Sequence, residues 1–182
     1  MNKTKLSLVL ISVLITAILG LIGCEKDDIC VDGATPLLIV RFYDVDNRTE
    51  LKRVPRFRVV GIGQNTTVTG VADRTDLDSI AIPLKVDEDV TGFYFINNSV
   101  DVDVATGDSD GETIKMEGGD LDSLYFNYNR ENKFVSRACG YIANFDNLNG
   151  DLKLESDNWI KDMEIIIPLV DNSTEAHVKI YH

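Results

Sequence analysis

Apolar side chains recur at every second position along much of this chain, and that period decides its architecture. Ile80, Ile82 and Leu84 fall on one side of an extended segment; so do Leu124, Phe126 and Tyr128, and so do Phe93 and Phe95. A spacing of two is that of a strand with one buried face. Arg56-Phe57-Arg58-Val59 alternates in the same way, and Val178 with Ile180 marks a last short strand. Residues 37–40 and 165–167 are apolar throughout and predict strands covered on both faces. Trp159, Ile160, Met163 and Ile167 also fit a helical spacing, but three successive isoleucines followed by Pro168 favour a strand. Gly, Asn and Asp interrupt the chain at short intervals. The expected fold is all-β: a single β-sandwich, immunoglobulin/fibronectin-III-like, of about eight or nine strands over residues 36–182.

The amino terminus does not belong to that pattern. Lys3 and Lys5 precede an uncharged apolar run from Leu6 to Gly23, which reads as an export signal. At ~18 residues the run also reaches the lower limit for a membrane-spanning helix, so an uncleaved anchor is the alternative. Leu21-Ile22-Gly23-Cys24 resembles the bacterial lipobox, in which the cysteine thiol takes a lipid and the chain is cut just before it. This resemblance divides the chain into a signal peptide at 1–23, a lipidated tether at 24–35 and the sandwich at 36–182, with Cys24 as the lipidation site. The following Lys26-Asp27-Asp28 resembles the export tag of surface-displayed lipoproteins of Bacteroidota. The expected address is therefore the outer membrane, lipid-anchored and surface-exposed. A plain charged linker on a periplasm-facing protein is the alternative.

With Cys24 committed to lipid, Cys30 and Cys139 remain. An exported chain meets an oxidising compartment, which favours one disulfide between them over two free thiols or a reactive one. Neither lies in a CxxC pair, so the spacing supports no thiol-bound metal and no thioredoxin-type chemistry. Charge narrows the partners further. After residue 23 the chain has 30 acidic residues against 16 basic ones, a net charge of −14. That balance excludes nucleic acid, whose affinity comes from basic side chains on phosphates. It also means that a lipid, rather than the overall charge, must hold the domain to a membrane.

Catalytic stock is thin. His177 and His182 are the only histidines, and an odd separation puts them on opposite faces of a strand. Gly61-Ile62-Gly63 lacks the third glycine and the helix of a phosphate loop, and Gly118-Gly119 reads as a turn. Acid pairs such as Asp101/Asp103 and Asp120/Asp122 are what this acidity produces anyway, so a carboxylate-dependent hydrolase is the least favoured reading. The polar segment 101–112 carries Asp101, Asp103, Asp108, Asp110 and Glu112 but fails the EF-hand positions; an acidic loop is the plainer account, with cation binding left open. No metal and no cofactor is expected.

Asp76-Leu77-Asp78-Ser79-Ile80 is echoed by Asp120-Leu121-Asp122-Ser123-Leu124, each leading into an alternating strand, a polar turn (residues 87–89 and 129–132) and a second strand. Shared turn chemistry before two hairpins explains the echo. Both copies also resemble the Asp-Ser/Thr-aliphatic acceptor for O-glycosylation of exported Bacteroidota proteins, which makes Ser79 and Ser123 candidate sites. Three longer runs, Cys30 to Asp44, Phe134 to Tyr141 and His177 to His182, resemble a family of small uncharacterised flavobacterial lipoproteins. The resemblance implies an exported lipoprotein with the two cysteines paired and supplies no activity. The function expected is a non-enzymatic binding or accessory subunit at the cell surface, with an outer-membrane protein as partner. The alternative is a stand-alone glycan or peptide capture module using Tyr125, Tyr128 and Tyr141.

Overall fold

The structure is a computed structural model that describes Cys30, residues 33–105 and residues 113–182. Nine strands form among these residues: β1 (Leu38–Tyr43), β2 (Val54–Gly61), β3 (Thr75–Leu77), β4 (Ser79–Ile82), β5 (Val90–Ala105), β6 (Thr113–Ser136), β7 (Gly140–Leu152), β8 (Asp162–Ile165) and β9 (Val178–Tyr181). They make a four-stranded sheet, ordered β4-β1-β9-β8, and a five-stranded sheet, ordered β3-β2-β5-β6-β7. The fold is the all-β sandwich that the alternation predicts.

The buried cluster shows how the sheets face each other. Leu38, Val40, Phe42, Ile82, Val178 and Ile180 from the smaller sheet meet Phe57, Val59, Phe95, Leu124, Phe126 and Phe145 from the larger. Phe42 spans the layers, with its ring centroid 5.1 Å from Phe57 and 6.2 Å from Phe95. Burying one such ring contributes roughly 1.5–3 kcal/mol by transfer alone. Trp159 closes one side of this core by donating its indole N–H to the Phe95 carbonyl at 3.2 Å. Tyr128 meets Phe145 edge-on, and its phenol is satisfied by the Lys85 carbonyl and the Thr91 hydroxyl.

The carboxy terminus is inside the fold rather than frayed. β9 lies between β1 and β8, and its contact with β1 is parallel. His177 is wholly buried: its N–H donates to the Ile39 carbonyl, while its Nδ1 accepts the Ile39 N–H at 3.0 Å. Burial pushes its imidazole below the ordinary histidine range, against the opposing pull of Asp171 and Glu175. The ring therefore carries its proton on Nε2. At the last residue, the His182 carbonyl accepts from Val45 N–H and from Lys52 Nζ.

Several local expectations need correction. Residues 165–167 are not covered on both faces: Ile165 and Ile167 are only half-buried, Ile166 is exposed, and the strand ends at Ile165. Gly118-Gly119 is no turn; it lies within β6, opposite a register shift at Asn97/Val100. Gly119 sits at φ +111°, where an added Cβ would meet the Asn97 carbonyl at 2.6 Å. Asp101 to Ala105 are strand rather than loop, paired with β6 from Glu117 to Thr113.

The DLDS echo has no common geometry either. Its first copy passes from β3 in the larger sheet to β4 in the smaller, whereas its second lies inside β6. Residues 129–132 are not a turn, because their backbone groups are taken up by β7, with Arg130 opposite Phe145 and Asn132 opposite Ala143. Ladder pairing outranks side-chain polarity where both faces of a hairpin are wet.

β6 thus becomes a 24-residue strand that no sandwich of this size can cover. Its first part pairs with the end of β5, and its last part with the start of β7, so the two hairpins leave at opposite ends. Fully extended, β6 would span at most ~80 Å. The β6–β7 tip holds Cys139, disulfide-bonded to Cys30 across a 4.9 Å Cα separation. The expected pairing of the two cysteines is present.

Candidate functional site

Strands β2, β5 and β6 also present an outer face, and it is not uniformly polar. Two interruptions of the alternation create it. In Val59-Val60 and in Phe93-Tyr94-Phe95-Ile96 apolar residues occupy successive positions, so the residues pointing away from the core are apolar as well. Pairing in register then sets Arg58 beside Ile96 and Ile96 beside Leu121, with Val60 beside Tyr94 in the next row. The result is an open groove of about 450 Å³, floored by Val60, Tyr94, Ile96 and Leu121. This volume lies within the range of small-ligand sites, ~300–1,000 Å³.

One end of the groove is closed by charge. Glu117 receives the Arg58 guanidinium at 2.5 Å and the Arg74 guanidinium at 3.3 Å. Its other oxygen accepts from the buried hydroxyl of Ser99, which in turn accepts from Arg74 Nε at 2.9 Å. Arg74 also binds Asp101, and this pairing holds the Asp101 carboxyl below its usual range while raising the Arg74 guanidinium. Arg58 Nε is buried without a hydrogen-bond acceptor, with an Asp73 oxygen 3.4 Å away. The two guanidiniums are therefore spent on carboxylates of the same chain. The groove offers an apolar floor and a self-neutralised polar wall, which suits binding by shape and burial.

The residues singled out from sequence are dispersed. Cys24, Lys26, Asp27, Asp28 and the signal segment lie outside the described residues, as do Asp108, Asp110 and Glu112. Ser79 opens β4 opposite Arg41 and is partly accessible; Ser123 is 7% exposed within β6. A modifying enzyme acting on the folded domain would reach the first far more easily.

Asp122 is not on a solvated face. It points inward, is 3% exposed, and accepts from the Ile160 N–H and the Asn158 side chain, each at 2.8 Å. Desolvation raises its carboxyl against those two bonds. It fastens the segment carrying Trp159, while its neighbour Asp120 is exposed. The three tyrosines are not grouped: Tyr128 is core, Tyr125 lies on the larger sheet beside Gly92, and Tyr141 is at the β6–β7 tip. Among the described residues, no three of His, Cys, Asp and Glu could jointly hold a metal ion.

No residue of the groove stands out in the sequence as part of one site: its floor is made of ordinary apolar residues, and Arg58, Asp101 and Glu117 are three among many charges. The signal that marks it was the doubled apolar position in each of β2 and β5.

A two-sheet β-sandwich with an open, apolar-floored groove on one outer face is the class this geometry defines. Within it, the chain belongs to a family of unknown function, DUF6452, whose model matches residues 56–182. No curated protein and no solved structure matches the chain.

Proposed function

We propose that this protein is an outer-membrane lipoprotein, anchored through Cys24, that acts without catalysis as a binding or accessory subunit for a membrane protein at the cell surface. The observation that carries the reading is the outer-face groove. Met116 stands exposed at its lip, Leu121 is the exposed part of its floor beside the buried Ile96, and its arginines are already matched to Glu117 and Asp101. An extended segment of a partner, laid along the sheet with apolar side chains inward, fits that surface. The address rests on the lipobox-like residues 21–24 and the tag-like Lys26-Asp27-Asp28.

The test is crosslinking on intact cells, purification and mass spectrometry. One partner is expected in near-equal amount, lost in Cys24→Ala and also in Leu121→Arg/Met116→Arg. Recovery of the protein alone, from cells in which added protease digests it, would overturn the accessory role and redirect attention to glycan and peptide ligands. Full resistance to added protease would move the protein to the periplasmic face.

A further inference from the structure

We propose that the β6–β7 tip is a membrane-seating element: Phe134 and Tyr141 lie among the headgroups of an anionic lipid surface, and Lys133 and Arg137 pair with its phosphates. The inference rests on anchoring at Cys24, which brings a bilayer within reach of this part of the fold.

Folding alone does not account for the aromatic pair. Phe134 and Tyr141 are cross-strand partners with ring centroids 5.3 Å apart, yet they are 55% and 70% exposed. By alternation along β7, Tyr141 shares its face with Ala143 and Phe145, both buried. The core-facing stripe thus continues along the hairpin beyond the point where the smaller sheet covers it. Aromatic rings of this kind concentrate at membrane–water interfaces, where an apolar body meets polar headgroups.

Charge marks the same place. Residues 132–145 contain Lys133 and Arg137 and no acid, in a chain whose net charge after residue 23 is −14. Both basic residues are exposed. An anionic surface attracts basic residues held within a Debye length and repels the acidic body behind them. The arm at the far end of β6 is the acidic one: residues 100–118 hold six acids against Lys115 alone. Repulsion of that arm, with the aromatic pair, Lys133 and Arg137 at the other end, selects one orientation, β6 rising from the surface. The tether beside Cys30 adds Glu25, Asp27, Asp28 and Asp32 against Lys26, so the hairpin's own two cations make the contact.

The covalent path agrees. The disulfide fixes Cys30 to Cys139, two residues from Tyr141 and five from Phe134. Cys24 is six residues before Cys30, a reach of at most ~20 Å. A lipid on Cys24 would hold this tip, rather than any other edge of the sandwich, next to the bilayer.

The experiment reconstitutes the mature protein, purified from a host that lipidates it, into vesicles of phosphatidylcholine with phosphatidylglycerol, with brominated acyl chains as contact quenchers. Phe134→Trp places an indole at the tip. The native Trp159, buried in the core, gives the wild-type baseline. The expected result is a blue shift and marked quenching in Phe134→Trp, little quenching in wild type, and loss of the added quenching when Lys133→Gln/Arg137→Gln is combined with Phe134→Trp.

The mass of the purified chain reports the anchor separately. Lipidated protein with an unquenched tip would overturn the seating proposal and leave the anchor standing. If the mass shows no lipid on Cys24, the anchoring reading fails, and the same quenching measured on unlipidated protein added to vesicles decides the tip by itself.

Discussion

The two hairpins that leave the sandwich at opposite ends of β6 are built alike and equipped differently. Each extends a ladder past the point where the other sheet covers it, and each carries apolar side chains outside the core: Val102 and Met116 on the β5–β6 arm, Phe134 and Tyr141 on the β6–β7 arm. The first is acidic, aliphatic and held by its own ladder and ion pairs. The second is basic, aromatic and fastened to the amino-terminal segment by a disulfide. The difference teaches that one long strand can serve two environments. The end bearing the covalent clamp suits a fixed surface, and the end bearing excess charge suits solvent.

Removing the clamp should have the largest effect. Cys30 and Cys139 are 109 residues apart, and closing a loop of that size contributes roughly 4–5 kcal/mol in the chain-entropy model. Cys139→Ser is therefore expected to lower the denaturant midpoint strongly, while reductant should lower the wild type to the same value and leave the variant unchanged. A variant as stable as the oxidised wild type would mean that the β6–β7 arm stands unaided, as the β5–β6 arm does.

The next test compares root and tip of one face. Phe145 is fully buried and Phe134 is 55% exposed, though both belong to the same arm. Phe145→Ala should cost about 3–5 kcal/mol. Phe134→Ala should change stability by no more than ~0.5 kcal/mol. Equal losses in equilibrium unfolding would show that the tip pair is structural and undercut its assignment to lipid.

In the other arm the weak point is backbone. Gly119 occupies φ +111° against the Asn97 carbonyl, where the ladder takes up its register shift. Gly119→Ala adds a Cβ both to a conformation that L-residues avoid and to a space that is already full. An expected cost of about 1–3 kcal/mol follows, read by thermal unfolding. A neutral result would mean that the bulge relaxes freely, and that this arm is the softer of the two.

How much of this was legible depends on which force fixes each part. The sandwich could be read because Ile80/Ile82, Phe93/Phe95 and Leu124/Phe126 are buried on one face, and burial writes itself into a period of two. The polar residues 129–132 read as a turn because the ladder that holds them to β7 is made by backbone groups, which leave no trace in side-chain type. Asp122 looked like one more surface acid; its burial depends on the Asn158–Ile160 segment, 36 to 38 residues away. The groove was half legible: Val59-Val60 and Phe93–Ile96 announce two apolar faces, but the Arg58–Glu117 wall joins residues 59 apart. The tip aromatics could be seen in the sequence, and what they lack, a covering sheet, could not.

The smallest expected effect is a slope in pH. His177 lies at the β1–β9 junction, away from both arms, so it supplies a reference against which arm effects can be judged. Burial holds its folded pKa below the ordinary value of 6.5, and His182 is shifted the same way by the same cause. Below pH ~6.5 the unfolded chain binds protons that the folded chain refuses, so stability should fall with pH until the folded pKa is reached. One such group gives at most ~1.4 kcal/mol per pH unit. His177→Asn keeps an acceptor near the position of Nδ1 for the Ile39 N–H and removes the titration. Its unfolding free energy should be lower than wild type at pH 7 but fall less steeply as the pH drops from 6.5. A parallel decline in both proteins would assign the acid sensitivity just below pH 6.5 to His182; a further decline at much lower pH belongs to Asp44. That group is held at about 2 by Lys52 and by the N–H groups of Asn47 and Asp46, so its contribution is lost only as pH falls below its ordinary value of 3.8.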